Sequence, residues 1–401
     1  MIWRVAIAAL VLAAQAQVAQ AEWVGSWSAS PAPPQAPGPN IRPERTAPVL
    51  EDQTLVQIVR LSAGGSALRI RFTNEYGQAP LVIGAARVSL LRKGASPGPG
   101  TVVSFAGADS ITVPAGAPVL SDPIRIKTSA FDQVRIALYV RGRPGCTCHM
   151  VGLQPVALSP KGDFTDKPFA SVAPPTAGYR AFLSGVDVDR QAKGPVIVAF
   201  GDSITDGVGS TMGANHRWPD LLAERLAARR NGRPAAVLNA GIGGNRVLSD
   251  GAAYAGQNAL ARFDRDVLSV PGVTHVVIFE GINDIAVGGA SPPSAYSLIA
   301  GYRQMIDRAR AHGLKAVGAT ITPQMGGART YFPAGEDVRR KVNEWIRAGG
   351  AFDGVIDFDA AVRDPAATER MRAELHSGDW LHPNDAGYRA IAGAIDLNLF
   401  R

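Results

Sequence analysis

Between residues 54 and 186, apolar and polar positions alternate in short runs. Over 67–73, Leu68, Ile70 and Phe72 alternate with Arg69 and Arg71, and over 133–140, Val134, Ile136, Leu138 and Val140 share one face. Runs at 54–61, 81–91, 101–105 and 179–186 look alike and are separated by Gly, Pro and Asp. A period of two sends one face of each segment into a core and the other into water. Many such short strands with turn residues between them predict an antiparallel β-sandwich of the jelly-roll kind.

Near Lys193 the pattern changes. Compact apolar runs at 195–200, 235–239, 274–280, 316–322 and 355–358 read as strands. Stretches with helical spacing at 218–230, 295–312, 336–348 and 384–399 fall between and after them. Alternating strand and helix predicts a parallel sheet covered on both faces. The expected organisation is an α/β domain over 193–401 preceded by a β-sandwich domain over 22–192. Between them and the start lies a segment, 23–48, with prolines at 31, 33, 34, 37, 39, 43 and 48, expected to run extended over a surface.

Residues 1–21 read differently again. Arg4 precedes an apolar stretch at 5–14, and Ala19-Gln20-Ala21 has the small-x-small form of a cleavage site. This is the pattern of a secretory signal peptide, and its apolar core is too short for a permanent membrane span. The expectation is a secreted or periplasmic protein without a stable membrane anchor.

Composition narrows the chemistry. The 401 residues are 46 % hydrophobic and 19 % charged, as in ordinary globular proteins. The formal charge is +7, and its excess lies in the first half, where residues 22–192 hold 17 basic against 12 acidic side chains. The basic residues there alternate with apolar ones, as on the solvated face of strands. No basic cluster interleaved with aromatics suggests a nucleic-acid partner. Two cysteines are too few for a disulfide scaffold or a four-thiolate metal site. Cys146-Thr147-Cys148-His149 allows either a local bridge or two free thiols, and no fourth metal ligand is evident beside it.

In an open parallel sheet, ligands bind beyond the carboxyl ends of the strands. The first strand is followed by Gly201-Asp202-Ser203, the second by Gly241-Ile242-Gly243-Gly244-Asn245 and the third by Gly281-Ile282-Asn283-Asp284. Asp379-Trp380-Leu381-His382 precedes the last helix. These segments offer a hydroxyl, an imidazole, a carboxylate and hydrogen-bond donors, which is the inventory for acyl transfer. Ser203 is a poor nucleophile until a base such as His382 takes its proton, and Asp379 can orient that base. The Ser203 N–H, the Gly244 N–H and the Asn283 amide are candidate donors to an oxyanion.

At these residues the chain resembles the GDSL, or SGNH, hydrolases. Gly201-Asp202-Ser203, Gly244, Gly281-Ile282-Asn283-Asp284 and Asp379-x-x-His382 match the family's blocks in the family's order. The resemblance implies a flavodoxin-like α/β/α domain and a serine esterase mechanism that needs no metal or other cofactor. The first half also looks like the β domain that precedes the hydrolase in some secreted bacterial members, often described as carbohydrate esterases.

Other polar residues have structural readings. Asp202 and Asp206 are expected to cap or brace turns, and Asp284 to brace its loop or cap the next helix. His376 lacks an Asp three residues before it, His275 reads as a structural strand residue, and His216 and His312 as solvated residues near helix ends. Trp380, Trp218 and Tyr331 are candidate walls of a substrate site. The expected function is hydrolysis of short acyl esters, with O-acetyl groups on polysaccharide as one substrate class and small-molecule esters as another. A lipase or arylesterase acting on longer or aromatic esters is the alternative, and a non-catalytic glycan-binding protein a third reading. Nothing in the pattern sets an oligomeric state.

Overall fold

The computed structural model describes residues 22–38, 46–91, 98–168, 178–190, 192–229, 232–289, 291–327, 332–348 and 350–401. The expected signal segment 1–21 lies outside the described residues.

The first half supplies twelve strands: β1 (Trp23–Ser28), β2 (Gln53–Arg60), β3 (Leu68–Thr73), β4 (Leu81–Leu91), β5 (Thr101–Val102), β6 (Ile111–Val113), β7 (Pro118–Leu120), β8 (Gln133–Arg141), β9 (Cys148–His149), β10 (Val156–Lys161), β11 (Arg180–Ala181) and β12 (Leu183–Asp189). One sheet has the order β1-β12-β3-β7 and the other β10-β2-β8-β4-β5, with β6 also on β4 and a separate β9–β11 pair. Every pairing is antiparallel. The alternation read from sequence is the packing. Leu68, Ile70 and Phe72 of β3 and Val134, Ile136, Leu138 and Val140 of β8 are all fully buried in one cluster. Two expectations are corrected. Residues 23–28 are a paired, largely buried strand and not part of a surface segment, because the prolines begin only at 31 and Val24 and Trp27 are apolar. The expected strand at 179–186 is two, broken at Phe182, whose φ is +56°.

The second half contains the parallel strands β13 (Val196–Gly201), β14 (Ala236–Gly241), β15 (His275–Phe279), β16 (Lys315–Ala319) and β17 (Gly354–Ile356), ordered β14-β13-β15-β16-β17. The helices are α1 (Ser203–Asp206), α2 (Trp218–Ala227), α3 (Ala259–Phe263), α4 (Ile282–Gly288), α5 (Ala295–Ala311), α6 (Pro333–Ala348), α7 (Phe358–Val362) and α8 (Asp385–Gly393). The helix expected at 384–399 ends at Gly393, and Leu397–Phe400 forms a separate 3-10 turn capped by Asp396.

Alternate residues of β13 serve two cores. Val196, Val198 and Phe200 join the cluster that holds Val24, Trp27 and the α5 residues Leu298, Tyr302 and Met305. Ile197 and Ala199 face Trp218, Leu222, Tyr388 and Ile391 of α2 and α8. Each large side chain so buried contributes about 1.5–3 kcal/mol of transfer free energy. The first of these clusters runs without interruption from the sandwich into the α/β half.

Candidate active site

The sheet order places neighbours β14 and β15 on either side of β13, so chain direction across the sheet reverses there. Such a switch point opens a crevice at the carboxyl edge. The strands are in register, with Gly201 opposite both Gly241 and Phe279. The segments after them therefore leave the sheet at one level.

Gly201 ends β13 where only glycine fits: a Cβ there would lie 2.1 Å from Thr205 Oγ1 and 2.5 Å from the Phe279 carbonyl. Asp202 then caps α1, its Oδ1 accepting the Ile204 N–H at 2.9 Å. That cap starts the helix at Ser203, whose own N–H belongs to the first turn and has no intrahelical acceptor. Burial of Asp202 pushes its pKa up to about 7, with Asp284 adding to the rise and the Ile204 N–H opposing it.

Ser203 Oγ lies 2.8 Å from His382 Nε2, and His382 Nδ1 lies 2.5 Å from Asp379 Oδ2. The carboxylate can only accept, so Nδ1 carries the proton and Nε2 is left to accept from the serine hydroxyl. Asp379 Oδ1 accepts the N–H groups of Leu381 and His382 at 3.0 and 2.9 Å, which closes the turn holding acid and imidazole together. Partial burial would raise the Asp379 pKa. The hydrogen bond and charge of His382 and the two backbone donors outweigh it, so the carboxyl sits well below the usual range.

Gly244 has φ +83°, a conformation that favours glycine. Asn283, in the first turn of α4, donates from Nδ2 to the Asn245 carbonyl at 3.0 Å and so is tied to the same loop. Asp284 braces it from below, accepting the N–H groups of Val247 and Leu248 at 2.8 and 2.9 Å. Beneath the crevice lies Arg262, fully buried on α3. Its guanidinium donates to the carbonyls of Gly201 and Ala240, to Asn245 Oδ1, and to the carboxylates of Asp266 and Glu280. One side chain thus joins the ends of three strands.

The structure brings Ser203, His382 and Asp379 into one hydrogen-bonded chain, and Gly244 and Asn283 into the loop beside it. Trp380 lies half-buried within the Asp379–His382 turn. A Cβ on Gly326 would lie 2.7 Å from its indole, so the ring rests on the segment after β16. Trp218 is not a wall. It is fully buried in the core, at 0 % accessibility, because α2 buries the face carrying residues 218, 222 and 226. Tyr331 lies outside the described residues. His216 is corrected from a solvated residue to one paired with Asp385 at 2.7 Å. Cys146 and Cys148 form a disulfide. Sequence reasoning passed over Arg262, and it read Asp206 only as a local brace. Asp206 binds His149 of the sandwich half, 57 residues away, which no local pattern signals.

The model of the GDSL-like lipase/acylhydrolase family matches residues 199–390. No curated protein matches the chain. Among solved structures, a lipase/acylhydrolase from Enterococcus faecalis is 23 % identical, over 50 % of this chain and 92 % of its own, with a TM-score of 0.39. An aryl esterase from M. smegmatis is 16 % identical over 50 % and 95 %, at 0.40. A carbohydrate acetylesterase from Sinorhizobium meliloti is 14 % identical over 50 % and 95 %, also at 0.40. Through residues 199–390, which carry all four matching blocks, the chain belongs to the GDSL-like lipase/acylhydrolase family.

Proposed function

We propose that this protein is a serine esterase that hydrolyses short acyl esters, O-acetyl groups on polysaccharide among them, outside the cytoplasm. The observation that carries the reading is the hydrogen-bonded chain Ser203–His382–Asp379. In this reading His382 Nε2 takes the hydroxyl proton as Ser203 Oγ attacks the ester carbonyl. Asp379 steadies the imidazolium that forms. The Ser203 and Gly244 N–H groups and the Asn283 amide receive the negative charge on the carbonyl oxygen. His382 returns the proton to the departing alcohol, and water, activated by the same imidazole, hydrolyses the acyl-enzyme.

The leader pattern of 1–21 and the Cys146–Cys148 disulfide support an oxidising compartment. Ser203→Ala is expected to lower kcat on a chromogenic acetate ester by at least about 10⁴-fold. A serine-directed fluorophosphonate should label the wild type and not the variant. Wild-type turnover by the variant refutes the mechanism. On a series of esters of one alcohol, kcat/KM should fall beyond about four acyl carbons; a rise with chain length would favour the lipase reading.

A further inference from the structure

The N-terminal sandwich reaches the helix that carries Ser203 through His149. His149, on β9, is 6 % exposed. Its strand is held by pairing with β11, by a bridge to Ala32 and by the adjoining Cys146–Cys148 disulfide. Nδ1 lies 3.0 Å from the Ser30 carbonyl, and Nε2 lies 2.9 Å from Asp206 Oδ1 and 3.3 Å from the Val151 carbonyl. Both ring nitrogens face oxygens that can only accept, so the doubly protonated imidazolium is the form that satisfies both. Burial alone would lower the His149 pKa, but the Asp206 carboxylate and the bonds to Asp206, Ser30 and Val151 more than reverse this.

Asp206 ends the helix that Ser203 begins. While Oδ1 holds His149, Oδ2 accepts the Gly243 N–H at 3.0 Å. Gly243 is bonded directly to Gly244. The Val151 side chain packs over the same turn, 3.4 Å from where a Cβ of Gly243 would stand. The carboxylate therefore has two fixed partners, one on each half of the molecule. Without His149 it is a buried charge with one partner missing, free to turn away from Gly243.

We propose that His149 is a positioning residue for the oxyanion loop: through Asp206 it anchors the N–H of the Ile242–Gly243 peptide and so sets the orientation of the following peptide, whose Gly244 N–H is the candidate oxyanion donor. This inference rests on the esterase reading above. It assigns the sandwich a share in the catalytic geometry, beyond any part in substrate capture.

The test exploits two polar replacements of similar size. In His149→Gln the amide nitrogen falls near the place of Nε2 and keeps a donor for Asp206. In His149→Asn it falls near Nδ1 and can reach only Ser30. A misplaced oxyanion donor lowers the rate and leaves ground-state binding alone. His149→Asn should lose about 10- to 100-fold in kcat with KM within about twofold, and His149→Gln should stay within about threefold of wild type. An alkylboronic acid, which forms a tetrahedral adduct with the active serine, should bind His149→Asn more weakly by the same factor as the loss in kcat. Equal kcat for the two variants, or a loss confined to KM with boronate affinity unchanged, overturns the proposal. Failure of the esterase reading shows separately, as a wild-type protein that neither hydrolyses the acetate ester nor takes the fluorophosphonate.

Discussion

Asp379 is nearly half exposed, yet its carboxyl is stabilised as the anion by three hydrogen bonds, two from His382 and one from Leu381. Asp379→Asn keeps an oxygen for the two backbone donors and removes the acceptor charge opposite Nδ1, so the turn should survive while the imidazolium loses its partner. A fall in kcat of about 10²- to 10⁴-fold is expected in steady-state kinetics, with an unchanged circular dichroism spectrum. In the proposed mechanism the Asn283 amide serves a charge present only in the transition state, so Asn283→Ala should cost about 10²- to 10³-fold in kcat and far less in KM. Asp202 makes a prediction about stability. Its pKa is about 7 in the folded chain against 3.8 as the ordinary value, so between roughly pH 4 and pH 7 the native state holds a proton that the unfolded state has released. Stability must therefore fall as pH rises through that window, by up to about 1.4 kcal/mol per pH unit from this group. Asp202→Asn still caps α1 and should remove that slope. Urea unfolding at pH 5 and pH 7.5 measures it, and an identical slope in the variant would count against the assignment.

At the scale of elements, short segments leave parallel strands at one edge, and Arg262 on α3 holds their ends together. Arg262→Met removes a buried cation and leaves the nearly inaccessible Glu280 without its ionic partner, while Asp266 keeps only Arg265. A loss of about 3–5 kcal/mol in denaturant unfolding is expected. The parallel strands were legible in the sequence because all but the edge strand β17, where Val355 is exposed, are compact runs buried on both faces, and the blocks around Ser203, Gly244, Asn283 and His382 because each directly follows a strand or precedes a helix. The sandwich strands were legible where alternation is strict, as in β3 and β8. It fails in β1, where a bulge between Gly25 and Trp27 shifts the period, and in β6 and β7, which are only 3 residues long each. Arg262 and His149 were not legible for another reason. A buried Arg or His earns its place from partners that are distant in sequence, such as Gly201 and Asp206, and no local spacing encodes them.

For the molecule as a whole, the decisive feature is the core shared by its halves. Gly25 of β1 packs so closely on β14 that a Cβ would lie 2.7 Å from Leu238, and its N–H donates to the Pro271 carbonyl at 2.9 Å. Ser28 Oγ donates to the Asn239 carbonyl, and the Val237 N–H donates to Ser62 Oγ. The full chain should unfold in one cooperative calorimetric transition, whereas residues 193–401 alone should bind a dye for exposed apolar surface and lack the ester activity of the whole. A soluble, active fragment would show that the shared core is dispensable. The pairing of β1 carries a further consequence, in time. Trp23 lies opposite Asp189, so the first strand to leave the ribosome has no sheet partner until some 166 residues later. At about 5–20 residues per second that is a wait on the order of 10–30 seconds. During it Val24 and Trp27 have no partner strand to cover them, and β1 gains its second cover only when Leu238 and Pro271 have been made.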